Sequence, residues 1–178
     1  MFGCTGDRDI VSLLVDHLYS LRRNESLRLV PIVIIPEANM SFIATDRIGS
    51  IIDALGLDDI TVVAHLKPNG DTDPRGRYGV VTTESRKVLY VNEVRTLLDN
   101  DRLYFIANTD LIGRDTTTDK AVLAEQLKAY KEEIIPGDEY GIRPAKRRYS
   151  GKSTGMRDDL CLALQIGVYW SRVYKLWW

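Results

Sequence analysis

Hydrophobic positions along the chain alternate between a helical spacing and short continuous runs. The helical spacing is long enough for amphipathic helices and covers residues 10–21, 43–57, 83–100, 119–134 and 158–174. Short runs rich in β-branched and aromatic residues are typical of buried strands and cover residues 27–35, 60–64 and 102–106. Strands that alternate with helices predict an α/β fold in which helices connect the strands of a sheet.

Local signals refine these elements. Pro31 lacks an amide donor, so we place it near the start of the first strand. Ser41 and either Thr82 or Thr83 are the expected N-caps of the second and third helices. Residues 67–79 are rich in Gly, Pro and Asp and predict a surface loop. Three strands form a small sheet for 178 residues, which indicates that part of the sheet is absent or comes from elsewhere.

The charge balance excludes a globally basic protein. Lys and Arg total 24 and Asp and Glu total 25, for a net charge of −1, so any nucleic-acid binding must depend on local clusters. Cys4 and Cys161 show no metal-ligand spacing and are expected to be reduced thiols of an intracellular protein. No stretch approaches the roughly 18 apolar residues of a membrane helix, so no membrane partner is expected.

Glu37 follows the first predicted strand directly, in the sequence IIPEAN. Ligands of open α/β sheets bind outside the carboxyl ends of the strands, so an acid at this position is well placed for function. Asn39, two residues later, could align a ligand or make a turn hydrogen bond. An ordinary loop glutamate is the alternative interpretation of Glu37.

Two adjacent acids, Asp158 and Asp159, open the last predicted helix, which is otherwise largely apolar. N-terminal capping and the helix dipole explain one of them. A second acid is more than capping requires, and the repulsion between neighbouring carboxylates is relieved by a divalent cation. The sequence leaves capping alone and a metal site both open.

A basic run precedes this pair and contains no acid: Arg143, Lys146, Arg147, Arg148, Lys152 and Arg157. A cationic strip beside an acidic pair fits a polyanion held by its phosphates, with a metal ion where the bond is cut. A solvated loop is the alternative.

The sequence Gly151-Lys152-Ser153 resembles the end of a P-loop, but Lys146 occupies the position of the required first glycine, so we reject an ATP site.

Three blocks occur in a fixed order along the chain. The first is the acid-small-Asn triplet Glu37-Ala38-Asn39 after a strand. The second is RLYF at residues 102–105, followed by a helix that carries Lys120, Leu123, Gln126, Leu127, Tyr130, Lys131 and Glu132. The third and most specific is YSGK-x-x-G-x-x-DDL-x-x-AL, with Tyr149 to Lys152, Gly155, Asp158 to Leu160, Ala163 and Leu164. Together they resemble the C-terminal nuclease domain of viral terminase large subunits, most closely the herpesvirus type.

This resemblance implies a ribonuclease-H-like fold, a mixed sheet flanked by helices. It implies a metal-dependent endonuclease that cuts concatemeric viral DNA while the genome is packaged into capsids. Glu37 would be the second-strand acid and Asp158 or Asp159 the acid of the last helix, and together they would bind two Mg²⁺ or Mn²⁺ ions about 4 Å apart. The implied partners are double-stranded DNA, other terminase subunits and the capsid portal, and the implied location is the nucleus of the host cell.

The chain departs from this family in one respect. The family's first catalytic aspartate lies on an earlier strand, whereas Asp7 and Asp9 lie on no predicted strand. We therefore expect a single nuclease-like domain over residues 1–178, lacking the N-terminal strands of the full domain, without an ATPase domain and inactive by itself if that aspartate is missing. The alternative function is a non-catalytic DNA-binding or assembly module of the packaging complex, which docks through its basic loop and aromatic tail.

Overall fold

A computed structural model of the chain shows a mixed α/β protein. The structure describes residues 7–39, 42–57, 59–63, 78–105, 117–138, 144–151, 155 and 157–173. Within these residues there are five helices and two small sheets of two strands each. The elements are, in chain order, α1 (Asp7–Arg23), β1 (Ile32–Ile34), α2 (Phe42–Ala54), β2 (Ile60–Val62), α3 (Glu84–Asp99), α4 (Thr117–Ala129), β3 (Lys131–Ile135), β4 (Lys146–Ser150) and α5 (Asp159–Val173).

The described residues divide into two compact units. We call the unit that contains residues 7–81 the N-unit, and the unit that contains residues 82–105 and 117–173 the C-unit. No helix among the described residues is both long enough and apolar enough to cross a membrane.

The N-unit is built on the parallel pair β1–β2, in which Ile32 lies opposite Ile60. Its core contains Leu18 of α1, Ile52 of α2 and Ile60 of β2, each less than 10% exposed. These residues belong to the hydrophobic positions that define the helical and strand patterns in the sequence. The predicted helix–strand–helix–strand order of this part of the chain is therefore confirmed.

The first strand is shorter than the sequence predicts. Residues 27–29 form turns and Val30 lies in a bend rather than in a strand, and the Arg22 guanidinium donates hydrogen bonds to carbonyl groups of this segment. Its Nη1 donates to the carbonyl oxygens of Leu27, Arg28 and Val30 at 3.0, 3.1 and 2.8 Å. Pro31 lies immediately before β1, at the position the sequence predicts.

In the C-unit, α3 packs on α5. Val94 and Leu97 of α3 form a buried cluster with Val168 of α5. The indole Nε1 of Trp170 donates a buried hydrogen bond of 3.0 Å to the hydroxyl of Tyr90. Thr83 is the N-cap of α3, as predicted, since its hydroxyl accepts the amide of Arg86.

The predicted strand over residues 102–106 is wrong for its described part, residues 102–105, which have no regular structure. The chain leaves α3 through Asp101, whose φ is +51°, and the amide of Arg102 donates back to the carbonyl of Leu97. Tyr104 is 77% exposed, so this aromatic run does not indicate burial here.

The predicted helix over residues 119–134 and the predicted basic loop after it are also partly wrong. Helix α4 ends at Ala129, and β3 then pairs with β4 as an antiparallel hairpin, with Ile134 opposite Arg147. Ile134 is 71% exposed, so its helical spacing from Tyr130 does not correspond to a buried position. The inter-strand hydrogen bonds of the hairpin, rather than apolar burial, favour the strand in this segment.

Candidate functional site

Glu37 lies beyond the carboxyl end of β1 in the N-unit, where the sequence places it. The backbone beside it pairs with a third extended segment: the amide of Ala38 donates to the carbonyl of Val80 at 2.9 Å, and the amide of Val80 donates to the carbonyl of Pro36 at 2.8 Å. Ala38 and Val80 are fully buried, whereas Glu37 is partly exposed. The carboxylate is therefore held on a fixed backbone and remains accessible to a ligand.

Gly79 makes this pairing possible. Its φ is +96°, and a Cβ at this position would lie 2.9 Å from the carbonyl oxygen of Pro36 and 3.0 Å from the Cβ of Ala38. Only glycine combines this conformation with such a close backbone approach. From its sequence, Gly79 is expected only to end a surface loop, although Gly-Val-Val at residues 79–81 is a strand signal that could have indicated this pairing.

Tyr78 anchors the same segment to α2. Its amide donates to Oδ1 of Asp46 at 3.1 Å, and its hydroxyl donates to Oδ2 of Asp53 at 2.7 Å. The hydrogen bond to Asp53 raises the pKa of Tyr78 above its ordinary value, with smaller contributions from burial and from the two negative charges. Asn39 lies exposed in a bend two residues after Glu37.

Asp158 is a buried acid in the C-unit and is 8% exposed. It occupies the N-cap position of α5, because its carbonyl accepts the amide of Leu162 at 2.9 Å. Its side-chain Oδ2 accepts the amide of Gly151 at 3.2 Å. Asp159 is exposed in the first turn of the helix, where the helix dipole favours a negative charge.

Gln126 of α4 caps α5 in place of the Asp158 side chain. The amides of Leu160 and Cys161 both donate to Oε1 of Gln126, at 2.9 and 3.1 Å. These are the two amides that an N-cap side chain ordinarily accepts. The need to cap α5 therefore does not explain why residue 158 carries a carboxylate. No local signal in the sequence indicates this role of Gln126, which is otherwise only one position of the second of the three sequence blocks.

Further residues of the two blocks surround Asp158. Tyr130 stacks on Tyr149, with ring centroids 6.3 Å apart and an interplanar angle of 14°. Burial is the main cause that raises the pKa of Tyr130, electrostatic interactions with the Cys161 thiol and the Asp158 carboxylate add to this effect, and a hydrogen bond with Gln165 partly offsets it. Burial also raises the pKa of the Cys161 thiol to about 11.

The basic run is only partly a free cationic surface. Lys146, Arg147 and Arg148 are exposed on β4, and Arg157 is exposed just before Asp158. Arg147 lies 3.4 Å from Glu132 of β3 as an ion pair, and Arg148 lies opposite Glu133 in the register. The acids of β3 thus offset part of the charge. Arg143 and Lys152 lie outside the described residues.

The predicted acids are divided between the two units. Glu37 belongs to the N-unit, and Asp158 and Asp159 belong to the C-unit. Within the residues that the structure describes, no three His, Cys, Asp or Glu side chains form a group that could hold a metal ion.

A comparison of the chain with protein-family models, with curated proteins and with solved structures found no match. The resemblance to terminase nucleases therefore rests on the three sequence blocks alone.

Proposed function

We propose that the chain is the metal-dependent endonuclease part of a viral DNA-packaging terminase of the herpesvirus type. The observation that carries the proposal is the convergence of two separate sequence blocks on Asp158. Gln126 and Tyr130 come from the second block, and Tyr149 and Gly151 come from the third. Gln126 caps the helix that Asp158 opens, Gly151 binds the Asp158 carboxylate, and the two tyrosines stack nearby.

The proposed chemistry is hydrolysis of a phosphodiester bond. Glu37 and either Asp158 or Asp159 would be the ligands of Mg²⁺ or Mn²⁺, and the metal would supply activation of a water molecule and stabilisation of the leaving 3′ oxygen. The geometry of Asp158 supports it as one ligand, since its carboxylate is held by a backbone amide and is not used for capping. Asp159, being exposed in the next position, is the second candidate at this end of the helix.

The proposed substrate is double-stranded concatemeric DNA, within a ribonuclease-H-like fold. Lys146, Arg148 and Arg157 are exposed and suited to phosphate contacts, because none of them has an ion-pair partner among the described residues. Other terminase subunits and the capsid portal are the proposed protein partners, and the host nucleus is the proposed location.

The test is cleavage of supercoiled plasmid by the full chain in MnCl₂. Substitutions Glu37→Gln and Asp158→Asn should each lower the nicking rate about a hundredfold or more, because each removes a metal ligand. Comparison of Asp158→Asn with Asp159→Asn assigns the ligand. Asp99→Asn is the matched control, since Asp99 is an exposed acid at the end of α3 and should leave the rate unchanged.

The same variants are titrated with Mn²⁺ in the absence of DNA, so that metal binding is measured independently of cleavage. Loss of Mn²⁺ binding in Glu37→Gln and Asp158→Asn would support the site even if nicking is slow. A wild-type chain that shifts DNA on a gel but neither binds Mn²⁺ nor nicks it would contradict the endonuclease and support the assembly module.

A further inference from the structure

Helix α4 and the segment that follows α3 form an apolar pocket within the C-unit. Five residues line it: Phe105, Lys120, Leu123, Ala124 and Leu127. The four residues of α4 are spaced as i, i+3, i+4 and i+7, so they form one stripe on the helix surface. Gln126, which accepts the amides of α5, is not part of this stripe. The contact that fixes α4 to α5 therefore does not use the side chains that line the pocket.

The pocket has the size and the lining of a site for one aromatic ring. Its volume is about 140 Å³, and its surface is almost wholly apolar. A cavity of about 150 Å³ lined by leucine, isoleucine and phenylalanine stays dry and binds benzene. Phe105 is 45% exposed, so its ring offers a surface against which a second ring can stack. Phe105, which is not buried in a strand, thus forms one wall of the pocket.

Lys120 is the charged residue of the lining. It is half-buried, and within the described part of the chain its ammonium has no ion-pair partner. The other lysine of α4, Lys128, is exposed and lies 2.7 Å from a carboxylate oxygen of Glu125. An ammonium beside an apolar pocket attracts the negative charge of a ligand whose apolar part fills the pocket. The lining therefore favours an anionic aromatic compound over a neutral one.

We propose that this pocket binds a small aromatic carboxylate, with its ring against Phe105 and its carboxylate beside the ammonium of Lys120. Five lining residues are far fewer than the roughly 20–30 residues on each side of a stable protein interface. The proposed occupant is therefore a small molecule rather than a protein partner. The proposal is independent of the nuclease function, because it uses none of the acids assigned to the metal.

Titration of the full chain with phenylacetate, followed by saturation-transfer NMR of the ligand, measures this binding. The expected Kd is about 1 mM or lower, the range for a ligand of this size. Ala124→Leu places a larger side chain in the pocket and should weaken the binding of phenylacetate about tenfold or more. Ala121→Leu is the matched control and should leave the Kd unchanged, because it makes the same change at an exposed position of α4 outside the lining.

Phenylacetamide, which has the same ring and no charge, tests the role of Lys120. It should bind the wild type about 2–5-fold more weakly than phenylacetate does, the range for a solvent-exposed ion pair. Lys120→Gln should remove this preference for the carboxylate, whereas Lys128→Gln should retain it, because Lys128 does not line the pocket. Equal affinities of the two compounds for the wild type would overturn the assignment of an anionic ligand.

Two results would overturn the pocket itself: no detectable binding of phenylacetate to the folded wild type, or the same Kd for the wild type and Ala124→Leu. If Ala124→Leu does not fold, as judged by circular dichroism, the comparison of Lys120→Gln with the wild type decides. A preference for the carboxylate that persists in Lys120→Gln would place the ligand elsewhere on the protein and overturn the proposal.

Discussion

Gly79→Ala tests how the structure holds Glu37. The Cβ would adopt a conformation with φ of +96° and would lie 2.9 Å from the carbonyl oxygen of Pro36, one residue before Glu37. The backbone conformation alone costs about 1–3 kcal/mol for a non-glycine residue. The contact adds to this cost, because the neighbouring atom is backbone and cannot move without displacing the segment that carries Glu37.

Gly56→Ala is the matched control. Its φ is +60°, but nothing lies within 4 Å of the position of a Cβ, so it measures the conformational cost without the contact. We expect Gly79→Ala to be less stable than Gly56→Ala by about 1 kcal/mol or more, as for other overpacked sites. For a chain of this length that difference corresponds to roughly 2–4 °C in Tm.

The assay is thermal and urea unfolding followed by circular dichroism, with Mn²⁺ titration of the folded variants. Gly79→Ala should weaken Mn²⁺ binding and Gly56→Ala should not, because only the first displaces the backbone at Glu37. Equal losses of stability in the two variants would refute the close approach of residues 78–80 to this backbone.

Three further predictions concern other parts of the molecule. Arg148→Ala should reduce the slope of log K for DNA binding against log salt concentration by about 0.9. Glu132→Gln removes the ion-pair partner of Arg147 and should strengthen DNA binding at low salt. Unchanged slopes would exclude the hairpin as a DNA contact. Tyr78→Phe should destabilise the protein by about 0.5–1 kcal/mol at pH 8 and by less at pH 11. Because the pKa of Tyr78 is raised in the folded protein, the stabilisation by its hydroxyl is present below about pH 10 and is lost as the pH rises through the folded pKa. A difference in urea midpoint that does not change with pH would contradict this. In a Cys4→Ser background the fully buried Cys161 should react with iodoacetamide only after unfolding, as measured by mass spectrometry; rapid labelling of the native protein would contradict its burial.

The elements that the sequence predicts correctly are those defined by local patterns. The helix–strand–helix–strand order of the N-unit follows from apolar spacing, and the cap of α3 follows from Thr83 and the helix that begins after it. The acid at the carboxyl end of β1 was also predictable, because Glu37 directly follows a hydrophobic run.

The features that the sequence does not reveal depend on distant partners. The strand character of β3 arises from pairing with β4, since KEEII alone has no buried face. The aromatic run at residues 102–105 resembles a strand, yet no strand partner exists for it among the described residues. Gln126 contacts amides more than 30 residues away, so only the structure distinguishes the capping explanation of Asp158 from the alternative.

Locating bound metal ions in crystals of the protein tests the proposed nuclease site. Crystals of the full chain soaked in MnCl₂ would be measured for anomalous diffraction from manganese. We expect manganese peaks within bonding distance of the Asp158 carboxylate and of the Glu37 carboxylate, and loss of the peak at residue 158 in Asp158→Asn. Manganese bound only at other acids, with none at the Asp158 or Glu37 carboxylates, would contradict the proposal of a metal-dependent nuclease.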